Sequence, residues 1–346
     1  MAVLLRLFIT SVFLVVGSAS KADDQKVLNV LFINPGFADG FWGSVTETMR
    51  AAAEDLDINL TVLDADRDRI KMLDLTREAL SSGQDWDYAV IVNELQQGPI
   101  LADALDAAGV EYLMLLNGLS DQQLAQMREN GGLTHYIGSV TPRNFLTGYH
   151  NTRALLDAVE PNTDTPIRVL ALLGDTATPA AVEREAGMRA AVAEAGNAEI
   201  VRAISVDWLF DRAKSTVALF LGRETPDIIW TASGPIAFGA MAATKEAGLV
   251  PGRDIKFAGV GWFQSALDAV ERGQMTTTYG GYFISGAWSM IALRDHAAEL
   301  ELENDGEIEA PLSGVDENNI AEFQRLVGGV DWNNVEFSTH IPQVIR

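Results

Sequence analysis

Cysteine does not occur anywhere in the 346 residues. Its absence excludes disulfides, thiolate nucleophiles, Cys-ligated zinc and a lipid attached at a cysteine. Histidine is scarce: His135, His150, His296 and His340 are scattered and leave little material for a metal cluster or a proton relay. Basic side chains are outnumbered, 25 Lys+Arg against 48 Asp+Glu, for a formal net charge of −23. That balance argues against nucleic acid and anionic membrane surfaces as partners, since binding there needs Lys and Arg to displace counterions. Past the first turn of chain, no apolar run approaches the roughly 20 residues of a membrane-spanning helix. What is present is a foldable globular composition, 48% hydrophobic and 21% charged, not a disordered acidic tail. At roughly 150 residues per domain, the length points to two domains, each able to bury its own core.

The start has the three-part pattern of a secretory signal. Met1 to Arg6 is short and positively charged, 7–16 is apolar, and Gly17-Ser18-Ala19-Ser20-Lys21-Ala22 supplies small residues for cleavage after Ser20 or Ala22. The apolar run is too short for a comfortable membrane span. Residues 1–22 are therefore expected to be a cleavable signal peptide, and the remainder to be exported as a soluble protein. With no cysteine after the run, a lipoprotein is not expected.

From residue 27 onward, short apolar runs alternate with amphipathic stretches. Strands are expected at 27–33, 59–63, 88–92, 112–116 and 135–137, and again at 168–173, 199–205, 227–231, 255–260 and 275–279. Helical periodicity fills 41–56, 70–80, 145–159, 180–195, 235–247 and 283–298. Solid apolar strands, each followed by a helix, imply parallel sheets covered on both faces. Gly109, Gly196 and Gly248 sit where helices should stop. Two five-strand sets imply two doubly wound domains with no low-complexity tether between them. The acidic stretch 301–309 reads as a solvated loop, and 320–326 as a short helix with Trp332 and Phe337 packing it back onto the body.

Catalytic templates find little support. Gly259-Val260-Gly261-Trp262-Phe263-Gln264 begins like a dinucleotide fingerprint but lacks the third glycine and puts Trp where a pyrophosphate would approach. There is no phosphate-binding Gly-Lys-Ser/Thr loop and no Gly-x-Ser-x-Gly elbow. Asp64, Asp66 and Asp68 alternate like calcium ligands, but the loop's sixth position is Arg69 and its twelfth Leu75, so an EF-hand is rejected. Those aspartates are expected to solvate a strand end and cap the next helix.

The distinctive feature is aromatic residues at strand-to-helix turns, where doubly wound sheets hold ligands. The first turn runs Asn34-Pro35-Gly36-Phe37-Ala38-Asp39-Gly40-Phe41-Trp42-Gly43-Ser44. Later turns are Asn93-Glu94, Asn117-Gly118, Asp207-Trp208-Leu209-Phe210, Ser233-Gly234, Gly261-Trp262-Phe263 and the segment from Tyr279 to Tyr282. Flat apolar faces with a few carboxylate, amide and guanidinium groups suit a sugar or polyol, whose C–H face stacks while its hydroxyls take directed hydrogen bonds. Of the adjacent pair Phe41 and Trp42, one should pack into the core, and Trp208 and Phe210 compete in the same way. Tyr279 and Tyr282 read as hinge or core residues, Trp230 as core, and Trp86 and Trp332 as surface or packing residues.

This arrangement resembles the type I periplasmic solute-binding proteins, the ribose/galactose-binding family that includes the autoinducer-2 receptor, over about residues 27–312. The turn into Gly40-Phe41-Trp42-Gly43 is similar to that family's N-terminal ligand loop. Arg184-Glu185-Ala186-Gly187-Met188 resembles its Arg-x-x-Gly-aromatic motif, whose Arg binds ligand. Residues 228–239 resemble the strand and helix entry that ends in Ala-x-Gly-Ala, and 255–270 the following strand, turn and Ala-rich helix. There are departures. Asn117-Gly118 stands where hexose and pentose binders have Asp-Arg, Ser233-Gly234 where they have Asn-Asp, Gly261-Trp262 at the ring-binding Asp, and Gly281 at the hinge Gln.

The resemblance implies an α/β fold of two doubly wound, parallel-sheet (Rossmann-like) lobes joined by a three-crossing hinge near 139–141, 281–282 and 312–315. The first lobe is expected at 27–139 plus 282–312, the second at 140–281 plus 313–346. The implied protein is no enzyme: it captures a small carbohydrate-like ligand by hinge closure and delivers it to a membrane ABC permease. The alternative is a receptor presenting its closed form to a sensor kinase or cyclase. A secreted α/β hydrolase would need a nucleophile–base pair that no Ser or Asp forms with a His in a recognisable pattern. The expected ligand contacts are Asp39, Phe41, Trp42, Asn117, Arg184, Trp208, Phe210, Ser233 and Trp262. A ligand smaller or less hydroxylated than the common aldoses, held by aromatics and one Arg, is as consistent with these residues. No cofactor, metal or nucleic acid is expected, and a monomer is.

Overall fold

A computed structural model describes residues 26–38, 40–160, 165–310, 312–327 and 330–339. The expected signal segment and Asp39 lie outside the described residues. Two six-stranded sheets form, one per lobe. The first contains β1 (Leu28–Asn34), β2 (Ile58–Asp64), β3 (Tyr88–Ile91), β4 (Glu111–Leu115), β5 (Tyr136–Pro142) and, from far along the chain, β11 (Glu307–Ala310). Their spatial order is β11-β5-β4-β3-β1-β2, all parallel. Helices α1 (Gly40–Asp55), α2 (Arg69–Ser81), α3 (Gly98–Ala108), α4 (Asp121–Glu129) and α10 (Ser285–Ala297) belong to this lobe.

The second lobe repeats the design. Its strands are β6 (Ile167–Leu173), β7 (Ala198–Ser205), β8 (Ile228–Thr231), β9 (Lys256–Val260), β10 (Thr277–Gly280) and β12 (Ser313–Val315). Their order is β12-β10-β9-β8-β6-β7, and only β12 runs antiparallel to its neighbour among the described strands. Helices α5 (Asn144–Asp157), α6 (Pro179–Ala195), α7 (Phe210–Leu221), α8 (Gly234–Glu246), α9 (Gln264–Glu271) and α11 (Ile320–Val327) surround it.

The strand alternation explains the layering. Along β1, Leu28, Val30 and Phe32 face the core shared with α1 and α10, while Leu31 and Ile33 face the opposite core with Met72 and Leu101. Both faces are covered, so the strand needs no polar side, and each such buried side chain contributes about 1.5–3 kcal/mol. In the second lobe Trp230 is fully buried in β8, as its place inside an apolar strand requires. Helices stop where expected: Gly109 and Gly196 end α3 and α6 in the left-handed conformation, at φ 71° and 70°.

The structure differs from the sequence expectation at both sheet edges, where β11 and β12 each add a sixth strand, and in the tail. Residues 301–309 were expected as a solvated loop, yet Glu307–Ala310 forms the sixth strand of the first sheet. Its alternation buries Ile308 and Ala310, while Glu307 accepts hydrogen bonds from the Tyr136 hydroxyl at 2.7 Å and from the Ser139 hydroxyl. The acidic composition concealed a half-buried edge strand. The second difference concerns the tail, which was expected to lie wholly with the second lobe. Helix α11 does pack there, with Phe323 edge-on to Trp262. Beyond it, Phe337 is buried in the first lobe's core, Trp332 meets Phe283 edge-on, and the Ser338 N–H donates to Asp55. The chain therefore passes back to the first lobe a further time, between Val327 and Trp332.

Other passages between sheets lie between β5 and α5, between β10 and α10, and between β11 and β12. At the second of these, Gly281 takes φ 114°, a conformation a side chain would strain, and turns the chain into a 3-10 turn at Tyr282–Ile284.

Candidate functional site

Arg184 stands among the carboxyl-end loops of the second sheet, beside Tyr282 at the passage between lobes. This residue leaves the second turn of α6 and is 8% exposed. Its Nε–H donates to Asn144 Oδ1 and its Nη1–H to the Ala232 carbonyl, each at 2.9 Å. Its guanidinium lies 4.9 Å from the ring centre of Tyr282, in the first lobe's core, and 5.8 Å from that of Trp208 in the second lobe. Two bonds to neutral acceptors leave guanidinium donors for another oxygen-rich group. Close packing of α5 on α6 fixes this position. A Cβ on Gly148 would fall 2.0 Å from the Arg184 carbonyl, and one on Gly187 2.0 Å from the Phe145 carbonyl. The glycine of the Arg-x-x-Gly motif thus lets the two backbones touch and sets Arg184 beside Asn144.

Aromatic rings seat on glycines around this centre. Trp42 covers Gly36 and packs into the first lobe's core, while Phe41 stays 47% exposed and edge-on to Trp42 and Tyr282, at 5.3 and 6.2 Å between ring centres. Of that pair, Trp42 is therefore the packing residue. Trp208 covers Gly174 and faces Arg184, whereas Phe210 opens α7 with its ring largely exposed. Left-handed backbone at Asp207 and Trp208, φ 51° and 65°, turns the indole inward, and Asp207 is tied by an ion pair to Arg212.

Trp262 is turned away from the role expected of it. It is 6% exposed within the second lobe's core, lies over Gly280 and meets Phe323 edge-on at 4.8 Å. Gly261, at φ 129°, reverses the strand end, so the next side chain goes down toward α11 and Phe263 swings over Gly234 beside Ser233. Phe263, not Trp262, is the ring near the start of α8.

Polar groups line the strand ends of the first lobe. Asn34 ties its own turn, accepting from the Gly36 N–H and donating to Asp64 at 2.6 Å. Asn93 clamps the loop after β3: its Oδ1 accepts from the Gly98 N–H, and its Nδ2 donates to the Gly118 carbonyl and to Gln123. Asn117 is buried, with its Nδ2 3.4 Å from Glu94 Oε2. Glu94 lies between that amide and Arg67 at 3.8 Å. Burial pushes its carboxyl above the usual range, Arg67 opposes the shift, and Asp175, at the end of β6 in the second lobe, reinforces it. Burial likewise pushes the Tyr282 phenol up to about 12, against the pull of Arg184.

Three buried atoms at these strand ends have no hydrogen-bond partner: Asn117 Oδ1, Ser233 Oγ and Tyr282 Oη. Buried polar atoms of folded proteins are nearly always paired, and an unpaired one costs about 1–3 kcal/mol. Ser233 follows the carbonyl of Ala232 that Arg184 holds, and the Tyr282 ring lies beside the guanidinium, so these two unpaired groups belong with Arg184, while Asn117 stands with Glu94. Of the expected contacts, the structure places Trp208 and the strand end carrying Ser233 beside Arg184, Phe41 beside Tyr282 and Asn117 beside Glu94, and puts Trp42 and Trp262 into packing roles. Tyr282, Glu94, Asn144 and Phe263 were not among them. Arg-x-x-Gly gave a signal for Arg184, but nothing local in sequence marks which strand-end residues turn inward.

The aspartate series does what its spacing suggested. Asp64 takes the Asn34 amide, Asp66 pairs with Lys71, and Asp68 caps α2 by accepting from the N–H groups of Ile70 and Lys71. Among the described residues no His/Cys/Asp/Glu group is arranged to hold a metal ion, and no helix is long and apolar enough to cross a membrane. A depression of about 350 Å³ lined by Lys26, Tyr88, Glu111 and Arg294 opens at the opposite ends of the first lobe's strands, away from this site.

Comparison with known proteins gives a consistent result. Residues 30–299 match the model of the periplasmic binding protein domain. Over 251 residues the chain is 26% identical to the galactofuranose-binding protein YtfQ of Escherichia coli K12, covering 70% of this chain and 74% of that one. A periplasmic sugar-binding protein from Pseudomonas fluorescens superposes with a TM-score of 0.81 at 29% identity, over 90% of this chain and 93% of that one. The Caulobacter myo-inositol binding protein shares the fold, with a TM-score of 0.74 at 18% identity over 90% of this chain and 100% of that one.

Proposed function

The chain belongs to the periplasmic binding protein domain family, and from that premise we propose that it is a sugar-binding component of ABC-transporter type. It holds a sugar or polyol between its two lobes, closes around it, and passes it to a membrane permease. The observation that carries this reading is Arg184: a buried guanidinium with unspent donors, framed by aromatic rings from both lobes. The galactofuranose-binding and sugar-binding relatives support a polyhydroxylated ring as the ligand class. The protein acts in the periplasm without catalysing a reaction, and residues 1–22 direct its export.

In this mechanism Trp208 and Phe41 offer faces to the C–H surface of the ring. Arg184, Asn117 and Ser233 take its oxygens. Because Arg184 and Trp208 stand on one lobe and Phe41 and Asn117 on the other, a ligand touching both favours the closed form. Moving the open-to-closed ratio from 1:99 to 99:1 takes about 5.5 kcal/mol of differential affinity. Hydrogen bonds to a charged group supply about 1.5–3 kcal/mol, so Arg184 provides a large share.

Calorimetric titration and thermal-shift measurements with D-galactose, L-arabinose and myo-inositol test the reading. At least one should bind the wild type and raise its melting temperature, and Arg184→Ala should weaken that binding about 10–100-fold. Equal binding by both proteins would remove Arg184 from the site.

A further inference from the structure

Among the described residues only two carboxylates are buried, Asp295 near the end of α10 and Glu94 at the strand ends that face the second lobe. Glu94 is 8% exposed, and the loop that carries it is held under strain. Leu95 and Gln96, just after it, both adopt left-handed backbone, at φ 49° and 58°, which costs about 1–2 kcal/mol per residue without a glycine. The three hydrogen bonds of the Asn93 side chain hold this turn in place. The fold thus maintains a strained loop whose result is a carboxylate at the tip of β3.

That carboxylate is poorly partnered. Asn117 Nδ2 stands 3.4 Å away and Arg67 3.8 Å away, and Arg67 is itself about half exposed. Charge-assisted hydrogen bonds to carboxylates normally close to about 2.5–2.9 Å. A structural ion pair would be shorter, and the two oxygens here keep most of their acceptor capacity. Beside them lies the unpartnered Asn117 Oδ1, a second buried acceptor. The Glu94 carboxylate and the Asn117 Oδ1 together offer acceptors that complement adjacent ligand hydroxyls.

We infer that Glu94 is a specificity-determining residue of the cleft. With Asn117 it accepts hydrogen bonds from neighbouring hydroxyls of an uncharged sugar or polyol, and it turns away analogues that bring a carboxylate to that end. The inference rests on the sugar-binding reading above. It also makes capture dependent on pH. The charged groups facing Glu94 are Arg67 from its own lobe and Asp175 from the other. A carboxylate accepts more strongly than its protonated form, so affinity is full while Glu94 is ionised and falls as pH drops through its pKa. Because burial and Asp175 lift that pKa above the ordinary carboxylate value, the fall begins at a higher pH than for an exposed glutamate.

The test compares wild type with Glu94→Gln and Glu94→Ala by calorimetric titration at pH 7.5, 6.0 and 5.0. The probes are D-galactose, L-arabinose, myo-inositol and D-galacturonate. In the wild type a neutral probe should bind tenfold or more tightly than D-galacturonate and weaken toward pH 5.0. Glu94→Gln should lose about tenfold in affinity for that probe, narrow the gap to D-galacturonate and flatten the pH dependence. Without ligand its melting temperature should be unchanged or higher, since a buried carboxylate is removed. Neutral-probe affinity within twofold of wild type, with the same pH profile, would overturn the role of Glu94 alone. A wild type that binds no neutral probe would instead contradict the sugar-binding reading and this inference with it.

Discussion

In the first lobe the groups that face the cleft sit on strand-end loops, where Asn93 pins the turn that carries Glu94 and Asn117 leans on its carboxylate. In the second lobe the charged group projects from a helix, and its place is set by the contact of α5 with α6 at Gly148 and Gly187. The two lobes repeat one strand order but give their cleft groups different mechanical support. Glu94 sits on a loop pinned by side-chain hydrogen bonds, and Arg184 is placed by helix packing. Loop hydrogen bonds tolerate small adjustments, whereas touching backbones do not. The position of Arg184 is therefore fixed by backbone contact, and that of Glu94 by side-chain hydrogen bonds.

The strongest challenge to that contrast is Trp262. If it belongs to the second lobe's packing, Trp262→Ala should cost about 3–5 kcal/mol of stability in chemical denaturation. Its neighbour Phe263, with a partly exposed ring over Gly234, should behave differently. Phe263→Ala should cost under about 1 kcal/mol of stability and weaken a bound neutral sugar several-fold, as loss of a stacking face of about 0.5–1.5 kcal/mol implies. A reversed pattern would return Trp262 to the site. A smaller effect follows from Gly187. Adding a methyl there forces α5 from α6, so Gly187→Ala should cost about 1–3 kcal/mol and also lower affinity, because Arg184 is moved. A stability loss with unchanged affinity would break the link between the helix contact and the cation.

Much of the architecture was legible because it depends on patterns a single sequence carries. Solid apolar strands alternating with helical periodicity are enough to imply parallel sheets covered on both faces, and glycines marked the ends of α3 and α6. Arg184 was legible only through the resemblance of Arg184-Glu185-Ala186-Gly187-Met188 to a family motif, for which the structure supplies a physical reason in the helix contact at Gly187. Other features were hidden for physical reasons. β11 is an edge strand whose outward glutamates dominate its composition, and its pairing with β5 is set by residues about 170 positions away. Trp262 and Phe263 exchanged roles because one glycine dihedral decides which of two adjacent rings turns inward. Glu94 stood among the strand-end turns but was not singled out, since an acid in an acidic chain is unremarked until burial and weak pairing mark it. The return of the tail to the first lobe depends on Phe337 and Trp332 finding a core formed by α1 and α10, a contact that spacing alone does not disclose.

The central claim is that one molecule bridges both lobes and closes them. Small-angle X-ray scattering of the wild type, recorded without ligand and at saturation with whichever neutral sugar or polyol calorimetry shows to bind, tests it most directly. The account predicts a smaller radius of gyration in the saturated sample, and little compaction for Arg184→Ala at the same concentration. A wild type that is saturated yet keeps its radius of gyration would contradict it.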